Sequence, residues 1–86
     1  MSTTNNKPAD TLRDGALKVT IWARFGEKGT FYTAEPSRTY TDDAGKYHNA
    51  HSLSGSEILR MAVLLHQAYT RIGELKAQDR EQQQAA

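Results

Sequence analysis

Apolar and polar residues alternate most cleanly over Leu17-Lys18-Val19-Thr20-Ile21-Trp22-Ala23-Arg24-Phe25. Successive side chains of an extended chain point to opposite sides, so Leu17, Val19, Ile21, Ala23 and Phe25 share one face of a predicted strand. Gly26-Glu27-Lys28-Gly29 supplies a hairpin connection, and Thr30 to Glu35 resumes in β-favouring residues. Pro36 has no N–H to give a ladder, which predicts an edge, a bulge or a break before Arg38-Thr39-Tyr40-Thr41. Asp42-Asp43-Ala44-Gly45 reads as a second turn, after which Lys46 to Ser52 returns as a polar strand. A short strand near Thr11 to Arg13, turning at Asp14-Gly15, brings the expected meander to three or four antiparallel strands.

The period then changes. Ser54-Gly55-Ser56-Glu57 fits the S-x-x-E capping box, in which serine and glutamate satisfy backbone donors left free by a first helical turn. Beyond it Ile58, Met61, Ala62, Leu65, Ala68, Tyr69, Ile72 and Leu75 recur at three- and four-residue spacing, a stripe expected to lie on the sheet. A helix from Ser56 to about Lys76 is roughly 30 Å long at 1.5 Å per residue. The fold class expected is therefore α+β, an antiparallel β-meander of three to four strands followed by one long C-terminal amphipathic helix. Leu59, Val63 and Leu64 widen the apolar stripe beyond what one sheet face needs. That excess predicts a homodimer with Leu59, Val63, Leu64 and Tyr69 at its interface; the alternative is that Leu59 and Leu64 are ordinary exposed apolar residues.

Composition sets the limits of the folded unit. Residues 1–10 hold Ser, Thr, Asn, Lys and Pro with almost nothing to bury and are expected to form a disordered arm. A single α+β domain is expected over residues 11–76, and the Gln-rich residues 77–86 are expected as a frayed polar tail. There is no cysteine, which excludes disulfides and thiolate metal sites. No apolar run approaches the roughly 18 residues of a membrane span, and no apolar leader opens the chain, so a cytoplasmic protein without a membrane partner is expected. Net charge is only +1, so any electrostatic argument must rest on where the charges lie.

The polar face of the first long strand reads Lys18, Thr20, Trp22 and Arg24. An aromatic platform between cations suits sequence-tolerant binding of single strands, with bases stacking on the ring and cations neutralising phosphates. Tyr32, Arg38, Tyr40, Lys46 and Tyr47 lie in elements that can extend this face. The alternative is that Trp22 and the tyrosines pack at a dimer interface or under a loop. His48 and His51 have H-x-x-H spacing, but positions three apart on a strand point to opposite faces, so no metal site is expected. Ser52, Ser54 and Ser56 lack an accompanying acid or oxyanion loop and are read as capping residues. Gly26 and Gly29 lack the spacing of a phosphate-binding loop. Arg60, His66, Gln67, Arg71, Glu74, Lys76 and Gln78 mix both signs on the helix's expected outer, solvated face, which argues against the helix reading a major groove.

The run from Lys7-Pro8 through Leu12-Arg13-Asp14-Gly15, Ile21-Trp22, Gly29-Thr30-Phe31-Tyr32, Ser37-Arg38-Thr39-Tyr40, Asp42 and the Leu53 to Ala68 helix resembles a group of short uncharacterised bacterial and mobile-element proteins. The order of elements is also similar to the single-stranded-DNA-binding transcriptional coactivators of the positive cofactor four type and to the Whirly proteins. That second resemblance implies dimerisation through the helix and a sheet that grips single strands. The sheet is plainly basic in those proteins, whereas Glu27, Glu35, Asp42 and Asp43 dilute it here. The resulting expectation is a homodimeric regulatory module for single-stranded DNA or RNA, acting in transcription regulation on a bacterial chromosome or mobile element. Lys18, Trp22, Arg24 and Arg38 are its core contacts and Tyr32, Tyr40 and Lys46 its extensions. No enzymatic activity, cofactor or small-molecule substrate is expected. The alternative is a protein-interaction module, or a small mobile-element inhibitor, using the same aromatic and arginine face.

Overall fold

The computed structural model describes residues 7–85, with side chains described as far as residue 81. Four strands, β1 (Asp10–Asp14), β2 (Leu17–Gly26), β3 (Gly29–Thr41) and β4 (Tyr47–Ala50), precede one helix, α1 (Gly55–Ala85). The strands form one sheet in the order β1-β2-β3-β4, each pair antiparallel. This is the α+β meander-plus-helix that the alternation and the capping box predict.

Turn chemistry sets the register. Asp14 pairs with Leu17 across a two-residue loop in which Gly15 adopts φ 63°, the left-handed region that a first-position glycine enters without strain. Between β3 and β4 the Asp42 carboxylate accepts the backbone N–H groups of Ala44 and Lys46, both at 2.9 Å. Pro36 does not interrupt β3, which runs unbroken for 13 residues with Pro36 opposite Val19. β4 reaches only as far as Arg38, so Pro36 lies on a locally open edge, where its missing N–H costs the ladder nothing. Its carbonyl accepts from His51 Nδ1 at 3.1 Å on that edge.

Leu17, Val19 and Ile21 are fully buried beneath Met61, Leu64 and Ala68, with Leu12, Tyr32, Leu53, Ile72 and Leu75 packed around them. The helix lies along β1, β2 and β3. Its start shows the glutamate half of the capping box: the Glu57 carboxylate accepts the Ser54 N–H at 2.9 Å, while the Ser54 backbone carbonyl accepts from Glu57 and Ile58.

The helix is rotated from its expected setting. Met61, Leu64, Ala68, Ile72 and Leu75 face the sheet, whereas Ile58, Leu65 and Tyr69 of the expected stripe are exposed. Leu64, expected at a dimer interface, is 3% exposed and belongs to the monomer core. Two arginines are satisfied in this setting. Arg60 donates from Nε and Nη2 to the Asp14 carboxylate, both at 3.1 Å, and from Nη2 to the Asp14 carbonyl at 3.0 Å. Arg71 Nε donates to Asp10 at 2.6 Å. Both arginines, expected on a solvated face, are thus turned onto β1.

The folded unit is also wider than residues 11–76. Ala9 N–H donates to the Ile21 carbonyl at 2.7 Å, and residues 77–85 continue the helix, with Asp79 accepting from the Tyr32 hydroxyl at 2.6 Å. Residues 1–6 of the expected arm lie outside the described residues. Phe25, on the apolar face of β2, is 81% exposed near the hairpin tip. Among the described residues no helix is long and apolar enough to cross a membrane.

Leu64→Ala removes a core side chain and should cost about 2–5 kcal/mol in urea unfolding, while exposed Gln67→Ala should stay within about 0.5 kcal/mol. Hydrogen bonds from Arg71 and Arg60 hold the Asp10 and Asp14 carboxyls below the usual carboxylate range. The stability they contribute is complete above the ordinary carboxyl pKa of about 4 and is lost as pH falls further. Acid melting curves of an Arg60→Gln, Arg71→Gln chain should therefore be flatter in that range than those of the unmodified protein.

Candidate nucleic-acid interface

Directly paired residues on neighbouring strands share a face, so the register divides the sheet's side chains into two sets. The helix side holds Asp10, Leu12 and Asp14 of β1, Leu17, Val19, Ile21 and Ala23 of β2, and Tyr32, Ala34, Pro36, Arg38 and Tyr40 of β3. The outward side holds Thr11 and Arg13, then Lys18, Thr20, Trp22 and Arg24, then Phe31, Thr33, Glu35, Ser37 and Thr39, and finally Tyr47 and Asn49.

Lys18, Trp22 and Arg24 are together on the outward side, as the alternation predicts. The Arg24 guanidinium lies 5.7 Å from the Trp22 ring centroid, and its Nε donates to Thr33 Oγ1 at 3.3 Å. This contact sets the cation over the indole, with Arg24 exposed and Trp22 partly so. Trp22 Nε1 donates to Glu35 at 3.4 Å, a long bond to the acid of this face.

Tyr32, Arg38 and Tyr40 do not join them. Each stands on the helix side and is engaged there. Tyr32 binds Asp79 of the helix. Arg38 donates from Nε to the Ser52 carbonyl at 3.1 Å, approaches Glu57 at 3.5 Å, and lies 5.5 Å from the Tyr40 ring centroid. Tyr40 stacks on His48 at 5.2 Å between centroids, and His48 Nε2 meets the Asp42 carboxylate at 2.7 Å. Glu57, Arg38, Tyr40, His48 and Asp42 therefore form a ladder that ties β3 and β4 to the start of the helix. Lys46 is in the turn ahead of β4, where its backbone N–H is bound by Asp42. The seven expected contacts thus fall into an outward set of three and four residues placed elsewhere. The odd-numbered spacing from β2 to β3 hides this division until the register is known.

Two further residues stand on the outward face. Arg13 is directly opposite Lys18, and Phe31 is directly opposite Arg24 and 50% exposed. Both follow from two-residue hairpin loops, Gly15-Ala16 and Glu27-Lys28, once the pairing is counted outward from each loop. Among the described residues the ion pairs made by arginine involve Arg38, Arg60 and Arg71, His48 meets Asp42, and Arg13, Lys18 and Arg24 take part in none. The acids Asp10, Asp14, Asp42 and Glu57 all carry lowered pKa values, each led by a hydrogen bond, from Arg71, Arg60, His48 and the Ser54 backbone respectively. None of the four is on the outward strand face. The ion pairs therefore gather on the helix side and at the turn before β4, while Arg13, Lys18 and Arg24 share the outward face with one acid, Glu35.

Comparison with protein-family models, curated proteins and solved structures finds no match.

The Tyr32 phenol is pushed up to about 12 by its hydrogen bond to Asp79, by burial and by the nearby negative charge. A group whose folded pKa is raised contributes stability fully below its unfolded value, near 10, and loses it as pH climbs through the folded one. In an alkaline absorbance titration of the four tyrosines, one should ionise near 12, and that late phase should vanish in Tyr32→Phe.

Proposed function

We propose that this chain is a binding module for single-stranded nucleic acid, which lies across the outward face of the sheet. The observation that carries the reading is the Arg13 and Lys18 pair, two cations directly opposite on β1 and β2, outside every ion pair among the described residues. Like charges in that position destabilise a free sheet, and a bound phosphate turns the cost into an attraction. The same face then offers Trp22 beneath Arg24, with Phe31 beside them, as surfaces on which bases stack. The module acts by holding a strand, in a regulatory role, with no covalent step. A protein-binding face built on Trp22 and Arg24 as anchors is the competing reading, and salt separates the two.

The chain's one tryptophan gives the measurement. Adding a short oligothymidylate at low salt should quench Trp22 emission, and affinity should fall with added salt at a slope of about −2 on log axes if three phosphates are neutralised. Trp22→Ala should weaken binding by about 1–3 kcal/mol. Arg38→Gln, on the helix side, should leave binding unchanged, and Glu35→Gln should tighten it. Absence of any quench or binding at low salt rejects the proposal, and a tight complex indifferent to salt with a protein partner favours the competitor.

A further inference from the structure

The register leaves one backbone edge of the sheet open. Alternate residues of an antiparallel strand turn their N–H and C=O groups to opposite neighbours. Thr39 N–H donates to the Ala16 carbonyl on the β2 side and Asp42 N–H to the Lys46 carbonyl on the β4 side, so even-numbered residues of β3 face β4. β4 pairs only with Arg38 to Thr41, and His51 takes the Pro36 carbonyl just beyond. Among the described residues nothing pairs with the N–H and C=O groups that Thr30, Tyr32 and Ala34 present on this edge. Exposed edges are commonly blunted by proline, charge or a covering element. Pro36 blunts one end here, whereas Thr30 to Ala34 stays open in β-favouring residues. The opposite edge differs: β1 is five residues long, and its Thr11 N–H is taken by the Asp10 carboxylate at 2.8 Å.

The two ends of the open row have different chemistry. Near Pro36 an apolar recess of about 160 Å³ is framed by Pro36, Leu53, Met61 and Leu65. Near Thr30 a recess of about 250 Å³ gathers Lys28, Lys76 and Arg80. Its one acid, Asp79, is held by the Tyr32 hydroxyl, and the three cations take part in no ion pair among the described residues. Lys76 and Arg80 are one helical turn apart, a like-charge spacing that destabilises a helix, so an anion there relieves a repulsion as well as adding an attraction.

We infer that an extended peptide adds to β3 as a fifth strand in line with β4, its apolar residue at the Pro36 recess and its acidic C-terminus at Lys28, Lys76 and Arg80. Every ladder of the sheet is antiparallel, and an added strand of that sense runs from Ala34 toward Thr30, which carries its terminal carboxylate to the cations. Peptide residues opposite Ala34, Tyr32 and Thr30 exchange hydrogen bonds with them and turn their side chains to the helix side, as those residues do. The first then stands beside the apolar recess and the third, about 13 Å further on, beside the cations. The open ladder calls for a strand, the recess for an aliphatic side chain and the cations for an acid. A nucleic acid offers neither a peptide backbone to the ladder nor an aliphatic group to the recess. The edge is distinct from the face that carries Trp22 and Arg24, so the inference does not depend on what that face binds.

The probe is the peptide Thr-Leu-Thr-Val-Thr-Asp with an N-terminal fluorophore and a free C-terminal carboxylate. Its anisotropy should rise with micromolar to submillimolar chain, and exchanging its Leu and Asp should weaken binding at least about tenfold. Amide hydrogen exchange reads the ladder itself. At saturating peptide the amides of Thr30, Tyr32 and Ala34 should exchange at least about tenfold more slowly, while those of Phe31 and Thr33, which face β2, are protected with or without it. Ala34→Pro removes a donor that the fold leaves free, as at Pro36, and should abolish binding with circular dichroism unchanged. Lys76→Glu with Arg80→Glu, both exposed on the helix, should abolish it as well, and a peptide ending in lysine amide in place of the aspartate should restore it. No binding up to about 1 mM chain overturns the inference, as does binding that leaves the three amides unprotected or that survives Ala34→Pro. Protection of the same amides by oligothymidylate, or by raising chain concentration alone, also overturns it, by assigning the edge to nucleic acid or to a second copy. None of these readouts uses Trp22, so a failed oligothymidylate titration leaves them standing.

Discussion

Burial of Leu17, Val19 and Ile21 beneath Met61, Leu64 and Ala68 is the contact on which the rest of the structure depends, and two arginines on one flank of the helix complement it. Arg60 and Arg71 are eleven residues apart, about 16 Å along a helix, and their partners Asp14 and Asp10 are four apart, about 14 Å along a strand. The near match lets one helix grip both ends of β1 at once. Ion pairs this exposed contribute little to stability individually, and the two on the same flank are satisfied together at the rotation that the core packing uses. With that flank on β1, Leu64 lies in the core and Ile58, Leu59, Val63 and Tyr69 face out.

The same pairs decide the electrostatics of the sheet. Asp10 and Asp14 alternate with Thr11 and Arg13 on β1, so binding the acids to the helix commits Arg13 to the outward face. There it meets Lys18, with no acid from β1 to compensate either. A chain with a net charge of +1 thereby presents a concentrated basic edge beside an aromatic pair. Tyr32 and Asp79 extend the grip toward the far end of the helix, and the Glu57 to Asp42 ladder anchors β4, which the helix does not cover.

Division of the molecule into surfaces follows from this frame. One sheet face is spent on the core, the other carries the cations and rings, and the helix keeps an apolar seam turned away from both. Side chains that look equivalent in composition, such as Arg24 and Arg38, end on opposite sides of the sheet because each is placed by parity in its strand. Arg24 is free to stack on Trp22, whereas Arg38 is occupied by Ser52, Glu57 and Tyr40.

By itself the sequence determined the local elements, because their causes are local. Alternation from Leu17 to Phe25 made β2, glycine and aspartate made the turns, and Ser54 with Glu57 started the helix. It also determined that Lys18, Trp22 and Arg24 share a face, since parity within one strand needs no partner. What only the tertiary structure decided is every relation that crosses between elements. Register put Tyr32, Arg38 and Tyr40 on the helix side and brought Arg13 and Phe31 to the outward one. Helix rotation buried Leu64 in place of Leu65, because a broad apolar helix offers several nearly equivalent faces to a sheet. The face that is used brings together groups far apart in sequence, among them ion-pair partners 46 and 61 positions apart, which no local pattern can record.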